Sequence, residues 1–106
     1  MDPRKLDRRI TIQRPVANQN AFGEPIITWT DVDAIWAEKR DMRGMERFAA
    51  QQVMAEVDAK FVIRYRSDVT PLNRIVFDGR NYDIASVLEL GRREALEILA
   101  VARADT

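Results

Sequence analysis

The sequence predicts an all-β (mainly β) protein: a small six- to seven-stranded β-barrel with one short helical insertion, in a single domain over residues 1–106. Every second residue from Val53 to Tyr65 is apolar, which is typical of a strand with one buried and one solvent-facing side. Asp78 and Gly79 stand between two apolar segments, which indicates a tight hairpin. A barrel accommodates such a meander of short strands because it leaves few exposed strand edges.

The N-terminal third of the chain predicts an arm and three strands. Residues 1–8 are too polar to fold alone and are predicted to form a flexible arm. Residues 9–13 alternate and predict the first strand. Residues 15–25 contain two prolines, two asparagines and a glycine, and predict a loop. Residues 26–31 and 34–38 are rich in β-branched and aromatic side chains, and predict two strands with a tight connection between them.

Residues 40–52 break the strand pattern and predict a helical insertion. Met45, Phe48, Ala49 and Gln52 fall at helical spacing, but two turns of helix are not stable without a packing partner. An apolar stripe flanked by arginines is the composition of a protein interface. The alternative is that Phe48 closes one end of the barrel core. The predicted interface residues are Arg40, Arg43, Met45, Arg47 and Phe48.

The second half of the chain continues as strands. At about 3.3 Å per residue, a strand over residues 53–65 would span roughly 40 Å. A turn is predicted over 69–73, and strands over 74–77 and 82–88 flank the Asp-Gly corner. The segment 92–103 combines helix-forming residues with an alternating apolar pattern, and we predict that it is a strand.

Composition argues against most chemistry. The chain has no cysteine and no histidine, so it lacks thiolate metal ligands and the commonest general base. Acidic and basic residues number 17 each, so net charge indicates neither a nucleic acid nor a membrane partner. No apolar run approaches 18 residues. We therefore predict no enzymatic activity, no metal, no cofactor and no membrane association.

Two other classes of function remain open from the residues alone. A nucleic-acid-binding barrel would present outward aromatic side chains beside a basic groove. The strand alternation instead points Tyr65 and Tyr82 into the core and leaves Arg64 and Arg66 outside without a stacking partner. A small enzyme would show a pocket with converging polar groups.

Several short stretches, in order along nearly the whole chain, resemble the phage head–tail adaptor family, also called head closure or stopper proteins. No single stretch is specific, but the ordered set is. The matching positions are Leu6, 8–14, Phe22 and Gly23, Trp29, 35–37, 43–46, 50–52, 63–66, Thr70 and Pro71, Arg74 and Ile75, and 78–84. One departure is Ala59, where members of the family often carry a histidine.

This resemblance implies a virion protein without catalytic residues. The expected assembly is a ring of identical subunits, nominally twelve, stacked below the portal and its adaptor. The ring would close the DNA-filled head, give the tail its docking surface, and let phage DNA pass through its centre without specific recognition. It would assemble in the bacterial host cytoplasm. Tail-terminator or other connector roles use similar barrels and remain alternatives.

Overall fold

The computed structural model of the protein describes residues 3–41 and 57–103, which extend over 48 × 27 × 24 Å. A 3-10 turn precedes six strands, and all strand pairs are antiparallel. The elements are the 3-10 turn Pro3–Lys5, β1 Arg8–Gln19, β2 Pro25–Asp41, β3 Ala59–Arg64, β4 Arg74–Phe77, β5 Arg80–Leu90 and β6 Ala95–Ala102.

The six strands close into a barrel in the order β1-β2-β3-β6-β5-β4. Closure depends on β1, which pairs with β2 along its length and with β4 only through Thr11, Ile12 and Gln13. In a closed sheet, a strand has no free edge wherever a neighbouring strand pairs with it on each side. The predicted all-β barrel is confirmed, and the six strands fall within the predicted range of six to seven.

The core lies inside the barrel and is formed by the inward side of every strand. Phe61 is fully buried at its centre, where its ring meets Phe77 edge-on at 5.9 Å and Tyr82 at 5.4 Å. Edge-to-face aromatic pairs add stabilisation beyond their buried area. The other core residues are Ile10, Ile12, Ala37, Ala59, Ile63, Val69, Ile75, Ile84, Leu96, Ile98 and Ala100.

Strands β1 and β2 are longer than predicted. The predicted loop over 15–25 is wrong at both ends, since β1 continues to Gln19 and the chain turns only over 20–24. Strand β2 is continuous where two strands were predicted. Ile12 pairs with Asp33 and Gln13 with Asp31, which leaves Val32 without a partner on β1. This extra residue is a β-bulge, which bends a strand without ending it.

Strand β3 is shorter than the predicted strand over 53–65. It begins at Ala59, and Val57 and Asp58 precede it outside the strand, while residues 53–56 lie outside the described part of the chain. The predicted facing is correct, because Ala59, Phe61 and Ile63 are buried in the barrel. The partners of β3 decide its length: its ladders with β2 and β6 cover only Ala59–Arg64.

The remaining strand predictions are confirmed. Asp78 and Gly79 have φ angles of 53° and 76°, as the tight turn between β4 and β5 requires. The C-terminal segment is strand β6, which follows a turn containing Gly91 at φ 66° and pairs with both β3 and β5. Pairing on both sides gives its alternating residues an inward and an outward face, and this outweighs its local helix propensity.

Two predicted boundaries need correction. Residues 40 and 41 begin the predicted insertion, but both belong to β2 and pair with β3. The rest of that insertion, 42–52, lies outside the described residues. At the N terminus, Leu6 is buried and Arg8 already pairs with Ala37, so the predicted arm over 1–8 joins the barrel before its end. Within the described ranges, no helix is long and apolar enough to cross a membrane.

Candidate protein interface

The β1–β2 hairpin extends beyond the barrel. Strand β4 covers β1 only as far as Gln13, and β3 covers β2 only from Glu38 onward. Residues 14–19 and 25–30 therefore pair with each other and with no other described strand. We call this ribbon, together with its turn at 20–24, the projecting hairpin.

The tip of the projecting hairpin is a defined turn. Asn20 donates its backbone N–H to the carbonyl of Glu24 at 3.0 Å, and its side-chain Oδ1 accepts the N–H groups of Phe22 at 2.9 Å and Glu24 at 3.0 Å. Gly23 adopts φ 80° and donates to the carbonyl of Asn20 at 3.0 Å. Glycine adopts this conformation without the steric cost that a side chain would add, and asparagine caps such turns through its own side chain.

Apolar side chains dominate the surface of this tip. Phe22 is 89% exposed and Ile27 is 65% exposed, and Ile26 beside them is also exposed. Glu24 is the single charged residue between Pro15 and Thr28. Exposed apolar residues grouped on one projection are typical of a surface that a partner covers.

The base of the projecting hairpin is clamped to the loop that follows β3. Arg66 donates two hydrogen bonds to the Asp68 carboxylate, both at 2.9 Å, and a third to Asp33 on β2 at 2.8 Å. These hydrogen bonds lower the pKa values of Asp68 and Asp33, and the two carboxylates raise the pKa of Arg66. The charges stabilise one another across two segments 33 residues apart.

A second clamp joins the same loop to β1. The amide of Asn73, the one buried polar side chain among the described residues, accepts the Thr70 N–H at 2.9 Å and donates to the carbonyl of Gln13 at 3.1 Å. Arg74 donates to the Gln13 side chain at 2.7 Å and lies 4.3 Å from the ring centre of Trp29. The hairpin thus leaves the barrel in a fixed direction.

An apolar cleft lies at the other end of the same two strands, where Trp36 on β2 pairs with Arg9 on β1. Its volume is about 370 Å³, and its floor is formed by Ala34, Ile35 and Trp36. Trp36 is 52% exposed, with the Arg9 guanidinium 5.1 Å from the ring centre. We call it the tryptophan cleft; the three arginines that line it are Arg9, Arg64 and Arg66.

A smaller cavity of about 260 Å³ lies under the N-terminal segment. Leu6 and Val62 line it, and both are buried even though Val62 faces away from the barrel interior. Lys5 and Glu94 are among its polar lining residues. Leu6 thus lies in an apolar site on the outer face of the barrel.

The sequence-predicted interface residues are mostly beyond the described part of the chain. Arg40 lies on β2, half exposed, and its Nε donates to Glu38 at 2.7 Å. Arg43, Met45, Arg47 and Phe48 lie outside the described residues, so their role stays a prediction. Sequence reasoning did not identify Phe22, Ile27 and Trp36 as interface candidates. The pair Ile26 and Ile27 was an available signal, because adjacent apolar residues on a strand leave one of them facing outward.

The aromatic facing predicted for the barrel is confirmed. Tyr82 is buried, and Tyr65 packs against the core. Arg64 is exposed, as expected, but Arg66 carries two ion-pair partners. In the part of the chain that the structure covers, no group of three acidic side chains is placed to hold a metal ion.

Comparison with protein families gives a match to the phage head completion protein model over residues 1–103. The chain belongs to the phage head completion protein family. This is a family of structural proteins of the phage head, so membership supports a structural role in the virion. It also agrees with the resemblance that the ordered sequence stretches indicate.

Solved structures show the same fold. Protein SF1141 from Shigella flexneri 2a is 29% identical, with both chains covered in full and a TM-score of 0.83. A chain of the virion of a native gene transfer agent particle is 20% identical, with 92% of this chain and 96% of that chain covered and a TM-score of 0.62. The similarity to the gene transfer agent chain supports only the fold of this head completion protein. No curated protein matches.

Proposed function

We propose that this head completion protein forms a ring in the head–tail connector, below the portal and its adaptor. There it closes the DNA-filled head and gives the tail its docking surface. The observation that carries this proposal is the family match over residues 1–103. A nominally twelve-fold ring and the two axial partners follow from the resemblance of the ordered sequence stretches.

The shape of the subunit supports assembly into a ring. Subunits of a ring meet head to tail, so each needs two different side surfaces that fit each other. The projecting hairpin and the tryptophan cleft are two such surfaces, at opposite ends of the same pair of strands. A ring also needs axial surfaces that contact the partners above and below it. We propose that the predicted insertion between β2 and β3 supplies one of them.

The charge distribution supports passive passage of DNA. The chain carries 17 basic and 17 acidic residues, and a neutral ring does not hold the phosphate backbone as a basic one would. Several arginines are paired with acids, as Arg66 is with Asp33 and Asp68. Equal numbers of basic and acidic residues are what we expect of a subunit that lines a DNA channel without binding the DNA tightly.

Deleting the gene in the producing strain tests the proposal. Electron microscopy is expected to show DNA-filled heads that leak or lack tails, together with free tails. Expression of the intact chain is expected to restore tailed particles that contain it. Normal tailed particles after the deletion, or absence of the protein from particles, would contradict the proposal. Aberrant tail lengths with normal heads would favour a tail terminator instead.

The predicted insertion gives a second test of the same role. We expect the double substitution Arg47→Ala and Phe48→Ala to change the free energy of unfolding by less than about 1 kcal/mol, as surface changes do. The variant is expected to fail to join connector rings. Arg80→Ala with Leu88→Ala, at exposed positions on β5, is the control for two lost surface side chains. Severe destabilisation with normal assembly would place Phe48 in the core.

A further inference from the structure

We infer that the projecting hairpin of one subunit inserts its tip into the tryptophan cleft of the next copy of this chain. The inference rests on the proposed ring and names its side-to-side contact. In each contact, Phe22 and Ile27 cover the apolar floor of the neighbour's cleft. Glu24 meets the arginines at its rim.

The two surfaces match in apolar character. The tip exposes three large apolar side chains, and the cleft has a floor of Ala34, Ile35 and the half-exposed Trp36. A tryptophan surrounded by arginines is the composition that most often dominates binding energy at protein interfaces. Burying an apolar tip against it removes from water the largest exposed apolar residues of this hairpin.

The two surfaces also match in charge. Glu24 is the single charge of the tip, and its carboxylate has no ion-pair partner among the described residues. At the cleft, the charge of Arg66 is balanced by Asp33 and Asp68, whereas Arg64 has no ion pair within the described ranges. One unpaired carboxylate therefore faces a cleft with excess positive charge, which favours one register of contact.

The geometry excludes an intramolecular contact. Ile27 and Trp36 lie on the same strand, nine positions apart, which corresponds to roughly 30 Å. A rigid strand cannot fold back over that distance, and the clamps at the base keep the hairpin extended. The tip can reach a tryptophan cleft only on another molecule, and repetition of this contact gives a chain of subunits that closes as a ring.

Single-stranded DNA is the other occupant that a tryptophan among arginines could take. The cleft fits it less well, because Arg9 already covers the Trp36 ring on which a base would stack. A nucleic acid would also leave the apolar tip unexplained. The arginines of the cleft favour a partner that carries both apolar and acidic side chains. The hairpin tip of a second copy of this chain carries both.

Cysteine cross-linking in assembled particles tests the contact. The chain has no cysteine, so Ala21→Cys with Ala34→Cys introduces the only thiols, at exposed positions on the tip and the cleft floor. A short bis-maleimide is expected to give a ladder of dimers, trimers and higher multimers. Ala21→Cys with Leu88→Cys, on the β5 surface, is the matched control and is expected to give no ladder. A ladder in the control of equal strength, or monomers alone in particles that contain the double variant, would overturn the inference.

If the cysteine variants are not incorporated into particles, reversing the charges of Glu24 and Arg64 tests the same contact. Glu24→Lys and Arg64→Glu are each expected to reduce incorporation about tenfold, as loss of one charge pair does, and the double reversal is expected to restore it. Single reversals that assemble normally, or a double reversal no better than either single one, would overturn the inference. So would salt-dependent binding of single-stranded DNA by the isolated protein that Trp36→Ala abolishes. Deletion of the gene tests the proposed function independently, so a connector protein with a different lateral contact remains distinguishable.

Discussion

The barrel and the projecting hairpin use the same kinds of residue for opposite purposes. In the barrel, Phe61 is fully buried among aromatic rings, whereas Phe22 at the hairpin tip is 89% exposed. The barrel strands have neighbours on both sides, while the hairpin strands have only each other. Stability of the isolated subunit should therefore depend on the barrel, and assembly on the hairpin.

The largest expected effect is at the centre of the barrel. Phe61→Ala removes a ring that contacts Phe77 and Tyr82 edge-on, and leaves a cavity. We expect the free energy of unfolding to fall by roughly 3–5 kcal/mol in urea denaturation. A loss below about 1 kcal/mol would mean that the barrel core collapses around the missing ring and leaves no cavity.

A smaller effect is expected where the hairpin joins the barrel. Asn73→Ala leaves the carbonyl of Gln13 and the N–H of Thr70 without their buried partner. We expect unfolding to become easier by roughly 1–3 kcal/mol, measured by urea denaturation. Leu72→Ala, at the exposed neighbouring position, is the control and should change stability by less than about 0.5 kcal/mol. Equal effects at the two positions would show that Asn73 does not anchor the hairpin.

The Arg66 clamp should give the stability of the protein a specific pH dependence. Asp33 and Asp68 have pKa values below their ordinary value of 3.8 in the folded state, so folded protein binds fewer protons than unfolded protein. Their contribution is present at neutral pH and is lost as pH falls through about 4 and below. Arg66→Met should therefore reduce stability at pH 7 by less than Asn73→Ala does, and the difference from the parent should shrink toward pH 3.

Urea denaturation at pH 7, 5 and 3 checks this dependence. Arg80→Met is the matched control, because Arg80 is exposed and has no ion pair among the described residues. A difference between parent and Arg66→Met that stays constant or grows toward pH 3 would contradict the assigned ion pairs.

The smallest effect on stability is expected at the hairpin tip. Phe22→Ala is the same chemical change as Phe61→Ala, but at an exposed position, and should shift the free energy of unfolding by less than about 0.5 kcal/mol. The same variant should be incorporated poorly into the proposed connector rings, as measured by its amount in purified particles. Strong destabilisation of the isolated subunit would show that the tip packs within its own molecule. It would contradict the expectation that stability depends on the barrel and assembly on the hairpin.

Sequence reasoning succeeded where a strand is defined by local pattern. The alternation through Ala59, Phe61 and Ile63 gave the correct buried face, and the Asp78–Gly79 pair gave the correct turn. These features depend on side-chain period and backbone conformation, which neighbouring residues determine. The barrel class followed from them.

The sequence did not reveal features that depend on distant partners. Strand β1 continues past Pro15 because β2 pairs with it and no other described strand does, so the missing N–H is tolerated there. Strand β2 passes Val32 as a bulge because the β1 ladder resumes beyond it. The contact of Arg66 with Asp33 spans 33 residues, and composition alone does not pair them. The tryptophan cleft is the product of these long-range arrangements.

The pairing of residue 41 with Ala59 makes the gap between β2 and β3 a natural graft point. The chain leaves and re-enters the barrel at adjacent positions, so a replacement segment of another length has only to close a loop. Doubling the length of such a loop costs about 0.6 kcal/mol in entropy. A fluorescent or affinity module inserted there should leave the barrel of the isolated subunit folded.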